Sequence, residues 1–440
     1  MTVLPYCYPI NVVDEANGTP TIPPHPLGIK PLGNKYFWDG QDARKCLGLL
    51  QVLPDEVIMQ MLEFLDPKTL RLLGYTCRFL FACCMSDDLW KTVFLDKVPL
   101  ELFTKNIPAA NQIDRLEDMS YEEFAANWSK KPFILTKNIT AWPVTSQWTL
   151  DTLLQQYPDV VFRAEAVDWT FKTYYDYLKN TNDESPLYLF DKKFAEKMGL
   201  TIGKDLPGAA YWKPECFGPD LFELLGAERP AHRWVIIGPA RSGSTFHKDP
   251  NATSAWNAVI QGAKYWVMFP PSAQVPGVIA SQDGSEVTSP LSIAEWLLVF
   301  HREARRTPGC REGICRAGEI LHVPSGWWHL VVNLEDGIAL TQNFVPEAHL
   351  SSVLSFLRDK PEQISGFRRD IENPYELFVE RLRQERPELL EEALRQLGGK
   401  KRRWESIVNG DDGEGEGQPQ KSGFSFGFGF GDDELEEEIP

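Results

Sequence analysis

The chain has 440 residues, more than one hydrophobic core organises, so two or three folded units are expected. Hydrophobic residues make up 43% and charged residues 24%, which excludes a disordered or collagenous chain. The formal net charge of −17 argues against a general binder of phosphate backbones, so nucleic acid is not expected as the main partner.

The charge is uneven: residues 410–440 hold ten acids against the single base Lys421, more than half of the net charge. The N-terminus shows no basic start followed by an apolar run, so no signal peptide is read there. No stretch reaches the ~18 consecutive apolar residues of a membrane helix, so no membrane partner is expected. Eight cysteines without a C-x-x-C unit read as reduced thiols of an intracellular, non-secreted protein of the nucleus, the cytoplasm or both. Cys310 and Cys315 lack a second pair to complete a metal site and read as core, as do Cys83 and Cys84.

Residues 1–48 form a leader, with seven prolines before position 40; proline fixes φ and removes a donor, so an irregular or extended chain is expected. Residues 49–96 are apolar at helical spacing, with Val57, Met61, Leu62 and Leu65 on one face. Pro54 suits the start of a first helix and Pro67 the turn before a second. Residues 110–230 are mixed: Ser120 and Glu123 form a capping box, KPFILTKNI reads as a strand, and Thr149 opens a helix. Residues 231–346 are strand-rich. RWVIIG, SAWNAVIQG, KYWVMFPP, EILHVP, HLVVNL and IALTQNF alternate with turn residues, the pattern of a sandwich or barrel. Residues 347–404 return to helix, with Gly398–Gly399 as the expected stop and the basic run Lys400–Arg403 after it, either a nuclear import signal or a solvated helix end. The tail, 405–440, is acidic and rich in Gly and Phe and cannot bury a core.

The chemistry-bearing pattern is His247-Lys248-Asp249 with His329 eighty residues on. On an extended backbone, residues two apart share a face, so His247 and Asp249 emerge together. His329 opens another strand. Two imidazoles and one carboxylate make the facial triad that holds Fe(II) and leaves positions open for a co-substrate and O2. An H-x-D by itself is weak, and a turn residue in RSGSTFHKDP is the plain alternative for His247. The surrounding stretches reverse that preference.

SPLYLFD (185–191), HRWVIIGPARSGSTFHKDPNATSAWNAVIQGAKYWVMFPP (232–271) and CRAGEILHVPSGWWHLVVNLEDGIALTQNFV (315–345) resemble the Jumonji-C family of Fe(II)/2-oxoglutarate oxygenases. The nearest likeness is to the phosphatidylserine-receptor-like branch of protein hydroxylases, with a looser match over 113–175. The resemblance implies a double-stranded β-helix (jelly roll, cupin-like) core with flanking helices over 110–346. It implies His247, Asp249 and His329 as iron ligands. It matches Lys264 and Thr341 to the groups that hold the distal carboxylate of 2-oxoglutarate, and Asn257 and Tyr188 to the lining of the co-substrate pocket. Trp256, Trp266, Trp327 and Trp328 read as core and pocket wall.

The implied activity is hydroxylation of a protein side chain, lysine favoured. The alternatives are a histone lysine or arginine demethylase and a non-catalytic adaptor. Residues 49–96, with Leu53-Pro54-Asp55-Glu56-Val57, the C-R-F-L segment at 77–80 and LWKTVFL at 89–95, resemble an F-box. That implies the linker subunit of a cullin–RING ubiquitin ligase as a partner. F-box histone demethylases place the oxygenase first and add a Cys-rich zinc module, for which this chain lacks the cysteines. The C-terminal helices are a candidate homodimer surface.

Overall fold

The computed structural model describes residues 37–38, 41–86, 89–90, 100–281, 284–290 and 292–408. Most of the proline-rich leader, the LWKTVFL segment beyond Trp90 and the acidic tail beyond 408 lie outside the described residues. The chain divides into two compact units, residues 1–97 and 98–440.

In the first unit the helical spacing gives α1 (Asp55–Glu63), α2 (Pro67–Gly74) and α3 (Arg78–Cys84). Pro54 caps α1 and Pro67 occupies the first turn of α2, where a missing N–H costs nothing. The Asp66 carboxylate accepts the N–H groups of Lys68 (2.9 Å) and Thr69 (3.2 Å). Ile58, Leu62, Leu70, Phe79, Cys83 and Cys84 close a small core. Leu49 (93% exposed), Val52 (80%) and Phe64 (89%) stay outside it.

In the second unit, two sheets are built from β1 (Asp114–Leu116), β2 (Phe133–Leu135), β3 (Val161–Ala164), β4 (Val167–Thr170), β5 (Leu189–Asp191), β6 (Arg233–Gly238), β7 (Gly243–His247), β8 (Ser254–Gln261), β9 (Ala263–Phe269), β10 (Arg311–Arg316), β11 (Ile320–Val323), β12 (Trp328–Asn333) and β13 (Gly337–Phe344). The larger sheet runs β1-β2-β11-β8-β13-β6-β5-β3-β4 and the smaller β7-β12-β9-β10. Within these two sheets, among the described residues, only β1 on β2 is parallel. From β6 to β13 the chain alternates strand by strand between the sheets, except that β9 and β10 both lie in the smaller, giving the four-plus-four jelly roll expected from the sequence.

Period-2 alternation divides each strand between two environments. On β8, Ala255 and Val259 face the smaller sheet and pack with Trp266, Met268, Cys315, Leu321 and Val331. Trp256, Ala258 and Ile260 face outward into a second core with Trp142, Trp148, Leu150 and Leu153. The helix α4 (Leu150–Gln156) is set there by Thr149, whose hydroxyl accepts Thr152 N–H at 3.1 Å while Thr149 N–H donates back to Thr152 Oγ1 at 2.7 Å. Ser120 accepts the Glu123 N–H at 3.2 Å, as its capping role requires.

On the outer face of the smaller sheet, the fully buried Glu312 accepts from Arg305 Nε at 2.9 and 3.0 Å, from the Tyr265 hydroxyl and from Asn111 Nδ2 at 3.4 Å. Arg305 also donates to the main-chain oxygens of Phe103 (2.6 Å) and Lys105 (3.4 Å), and Ile113 N–H to that of Glu312 (2.9 Å).

The C-terminal helices α5 (Leu350–Asp359), α6 (Pro374–Glu385) and α7 (Pro387–Val408) share a third core with Leu221, Phe222 and Val345. Gly398–Gly399 does not stop α7, which runs on to Val408. A glycine stop needs the left-handed conformation, and neither residue adopts it. No described helix is long and apolar enough to cross a membrane. The described cysteines are all free thiols, with Cys310 and Cys315 buried.

The alternation on β8 is testable at adjacent positions. Trp256→Ala, on the outward face, is expected to lower stability by about 3–5 kcal/mol. Asn257→Ala, whose buried Oδ1 has no partner, should shift it by less than about 1 kcal/mol. Urea midpoints of the two variants check this.

Candidate active site

The jelly roll brings His247, Asp249 and His329 together. His247 pairs directly with His329 across β7 and β12. A register shift between Ser244 and His247 turns both onto the inner face, where plain alternation would have separated them. Asp249 lies just past the end of β7 on an extended backbone (φ −62°, ψ 146°), so its side chain returns to the side of His247. The two imidazole centroids are 4.1 Å apart and His329 Nε2 is 4.0 Å from Asp249 Oδ1. One ligand atom from each of the three residues lies within 4.8 Å of the others.

Each imidazole is oriented by a main-chain carbonyl two residues back. His247 Nδ1 is 2.8 Å from Thr245 O, and His329 Nδ1 is 3.1 Å from Trp327 O. A carbonyl only accepts, so each ring carries its proton on Nδ1 and keeps the Nε2 lone pair for a metal. Burial holds His247 and His329 down to about 4, with the facing imidazole a second cause for His247, so both are neutral at pH 7. Burial raises the Asp249 carboxyl to about 6, opposed by His247 and the Asn343 amide. Its buried Oδ2 has no hydrogen-bond partner. An orphaned carboxylate oxygen beside two imidazoles fits a divalent cation, and the two-nitrogen, one-oxygen set with one open side suits Fe(II).

At the other end of the same strand pair sits Lys264. It pairs with Asn333 as Met268 pairs with His329, so Lys264 lies four residues from the partner of His329 on the same face of β9. Lys264 is buried and donates to Asn333 Oδ1 at 2.7 Å; Asn333 Nδ2 donates to Ser242 Oγ at 2.9 Å, and Ser242 Oγ to Pro239 O at 2.6 Å. Burial pushes its ammonium down to about 8, and no carboxylate pairs with it among the described residues. A buried ammonium with no carboxylate partner suits an anion.

Asn257 and Thr341 are directly opposed on β8 and β13 and both face inward. Thr341 Oγ1 donates to Trp256 O at 2.9 Å, and Asn257 Oδ1 is unpartnered. The buried Tyr188 hydroxyl is bonded to Ser244, and burial raises it to about 12, so it stays a neutral donor. The tryptophans divide: Trp266 lies 5.9 Å from His329 with an unpartnered Nε1, Trp327 packs against the inter-sheet core, Trp256 belongs to the outward core, and Trp328 carries Lys248 over its ring at 4.5 Å.

Asn333, Ser242, Ser244 and Asn343 were not picked out from sequence. Asn333 was within reach: it lies four residues after His329 on one strand and therefore on the same face.

A family model described as a cupin-like domain matches residues 120–349, and an F-box-like model matches 50–96. The chain is 35% identical to arginine-specific demethylase JMJ22 of Arabidopsis thaliana, over 87% of this chain and 86% of that one. It is 33% identical to the bifunctional arginine demethylase and lysyl-hydroxylase psr-1 of Caenorhabditis elegans, over 64% of this chain and 71% of that one. It is 35% identical to the 2-oxoglutarate and iron-dependent oxygenase JMJD4 of Danio rerio, over 32% of each chain.

The buried ammonium has a measurable sign. A lysine whose folded value lies below its unfolded one (about 8 against 10.5) destabilises the ligand-free fold below pH 8, and the penalty fades as pH rises from about 8 to 10.5. Lys264→Met should therefore stabilise the ligand-free chain at pH 7. The difference from the parent should shrink across that window in denaturant melts.

Proposed function

Because the chain belongs to the cupin-like, JmjC-type family of 2-oxoglutarate- and iron-dependent oxygenases and carries an F-box-like domain, we propose that it hydroxylates a lysyl side chain of a protein substrate at the His247–Asp249–His329 centre. It is a 2-oxoglutarate-dependent dioxygenase that uses Fe(II), 2-oxoglutarate and O2. We take the F-box over 49–96, the oxygenase over 110–346 and the C-terminal helices over 347–404.

The observation that carries the site assignment is a pair of unmet needs on one inner face. Asp249 Oδ2 is buried with no hydrogen-bond partner, and the buried Lys264 ammonium has no carboxylate beside it among the described residues. His247, Asp249 and His329 would hold Fe(II), which when bound supplies the oxidising chemistry that activates O2 with 2-oxoglutarate as reductant. Lys264, oriented by Asn333, would take the distal carboxylate, and Thr341 would turn its hydroxyl to the same group. Asn257 and Tyr188 offer neutral polar groups between the two ends. The apolar walls from Trp266, Met268 and Val331 exclude water and strengthen both charge interactions.

The names of the relatives include arginine and lysine demethylation as well as lysyl hydroxylation. Hydroxylation leaves a stable gain of one oxygen atom on an unmethylated peptide. Demethylation releases formaldehyde from a methylated one and would overturn this part of the reading. His247→Ala or Asp249→Ala should abolish 2-oxoglutarate-dependent succinate formation with the far-UV circular dichroism unchanged. Decarboxylation that survives both would sink the site assignment. Lys264→Ala should act differently, raising the KM for 2-oxoglutarate at least tenfold.

The F-box-like domain points to a ligase adaptor role and to protein substrates. The exposed Leu49, Val52 and Phe64 support docking of the cullin–RING linker subunit on this unit. Phe64→Asp should reduce pull-down of that linker without changing 2-oxoglutarate turnover. Loss of turnover alone would count against the assignment. We place the protein in the nucleus, the cytoplasm or both, on its free thiols and the Lys400–Arg403 run, and take α5–α7 as its self-association surface.

A further inference from the structure

The turn that follows Asp249 is strained. Asn251 (φ 56°) and Ala252 (φ 52°) both adopt the left-handed conformation that side chains with a Cβ avoid. They are the only two adjacent residues of this kind among the described non-glycine residues. Thr253 N–H donates to Pro250 O at 3.1 Å, so the pair forms the centre of a type I′-like turn, a conformation that disfavours alanine and that the surroundings hold in place.

Those surroundings are specific. Asn251 is buried, and its amide makes a two-point bond to one main-chain unit: Nδ2 donates to Ser365 O at 2.9 Å, and Ser365 N–H donates to Oδ1 at 3.1 Å. Ser325 Oγ donates to Ala252 O at 2.6 Å. Thr253 Oγ1 donates to Pro250 O at 2.9 Å and itself receives Asn343 Nδ2 at 2.9 Å, the amide that also favours the ionised Asp249. The Ser365 segment is pinned in turn, because Gly366 O accepts the Ala231 N–H at 2.9 Å. The residues after Asp249 are thus tied to the C-terminal segment, to the turn before β12 and to β13.

We propose that Asn251 is a positioning residue: clamped on the Ser365 main chain, it holds the Asp249–Ala252 turn in the form that aims the Asp249 carboxylate at the metal position. The segment between α5 and α6 thereby sets metal affinity without touching the metal. This inference rests on the triad reading above. Groups that orient metal ligands typically contribute 10–100-fold to metal affinity when removed.

The test is Mn(II) titration of the full chain, followed by the electron paramagnetic resonance signal of free Mn(II), alongside thermal melts. Asn251→Ala should weaken Mn(II) binding about tenfold or more. Asn251→Gly accepts the left-handed backbone but lacks the amide; it should weaken binding similarly and keeps the question open to measurement should the alanine variant fail to fold. Asn111→Ala removes a buried amide from the Glu312 network, far from the turn in the hydrogen-bond pattern, and should lower the melting temperature with Mn(II) affinity unchanged. Parent-like affinity in the Asn251 variants, or equal weakening in Asn111→Ala, overturns the proposal. His247→Ala separates the two readings. If it still binds Mn(II), the triad assignment fails; if it does not while Asn251→Ala binds normally, only the positioning role fails.

Discussion

The register that sets His247 opposite His329 is the constraint on which the active centre depends. In a ladder of period 2, a slip of β7 by one residue would turn His247 to the opposite face from His329, which β9 holds in place through Met268. The irregularity between Ser244 and His247 is what lets one short strand serve two purposes. Ser244 reaches Tyr188 and His247 reaches the metal position, although an odd number of residues separates them. Asn333, four pairs further along β12, then falls on the same face and holds Lys264.

The electrostatics follow from burial of opposite deficits. A carboxylate oxygen and an ammonium are both withdrawn from water on one inner face, yet they are not each other's partners. Breaking a buried pair is expensive because it leaves an uncompensated charge, and here the protein maintains two such charges without ligand. Asp249 Oδ2 has no hydrogen-bond partner and Lys264 bonds Asn333 Oδ1, an arrangement that suits a cation at one and an anion at the other. The outward core with Trp142 and Trp256 and the C-terminal core around Phe378 provide the stability that makes this tolerable.

The architecture was largely legible in the sequence because β-branched and aromatic runs bounded by turn residues survive translation into strands almost residue for residue, as RWVIIG and HLVVNL do in β6 and β12. Strands that no run in the sequence marked include Asp114–Leu116, Val161–Ala164, Val167–Thr170 and Arg311–Arg316, whose polar and charged content hides their pairing. The site residues were legible through a resemblance carried by long motifs rather than through spacing alone. What sequence did not reveal was the second tier: Asn333, Ser242, Asn343 and the Asn251–Ser365 clamp. Their roles arise from contacts between residues about ninety or more apart, which no local pattern encodes. The glycine pair at 398–399 misled for a related reason, since the composition of a stop is not its conformation.

The anchoring of residues 103–113 has a consequence for where the catalytic domain starts. Homology to the cupin-like model begins at residue 120. The cooperative folding unit begins earlier: Arg305 takes two main-chain oxygens from Phe103 and Lys105, and Ile113 fills the space between the sheets. A fragment cut at the homology boundary would keep every residue of the candidate site but lose the Asn111 amide that donates to Glu312 and the main-chain oxygens that hold Arg305. It would also expose an edge of the larger sheet where β1 had covered β2. The evolutionary module and the thermodynamic one therefore do not coincide, and the segment between the F-box and the homology boundary is part of the enzyme rather than a spacer.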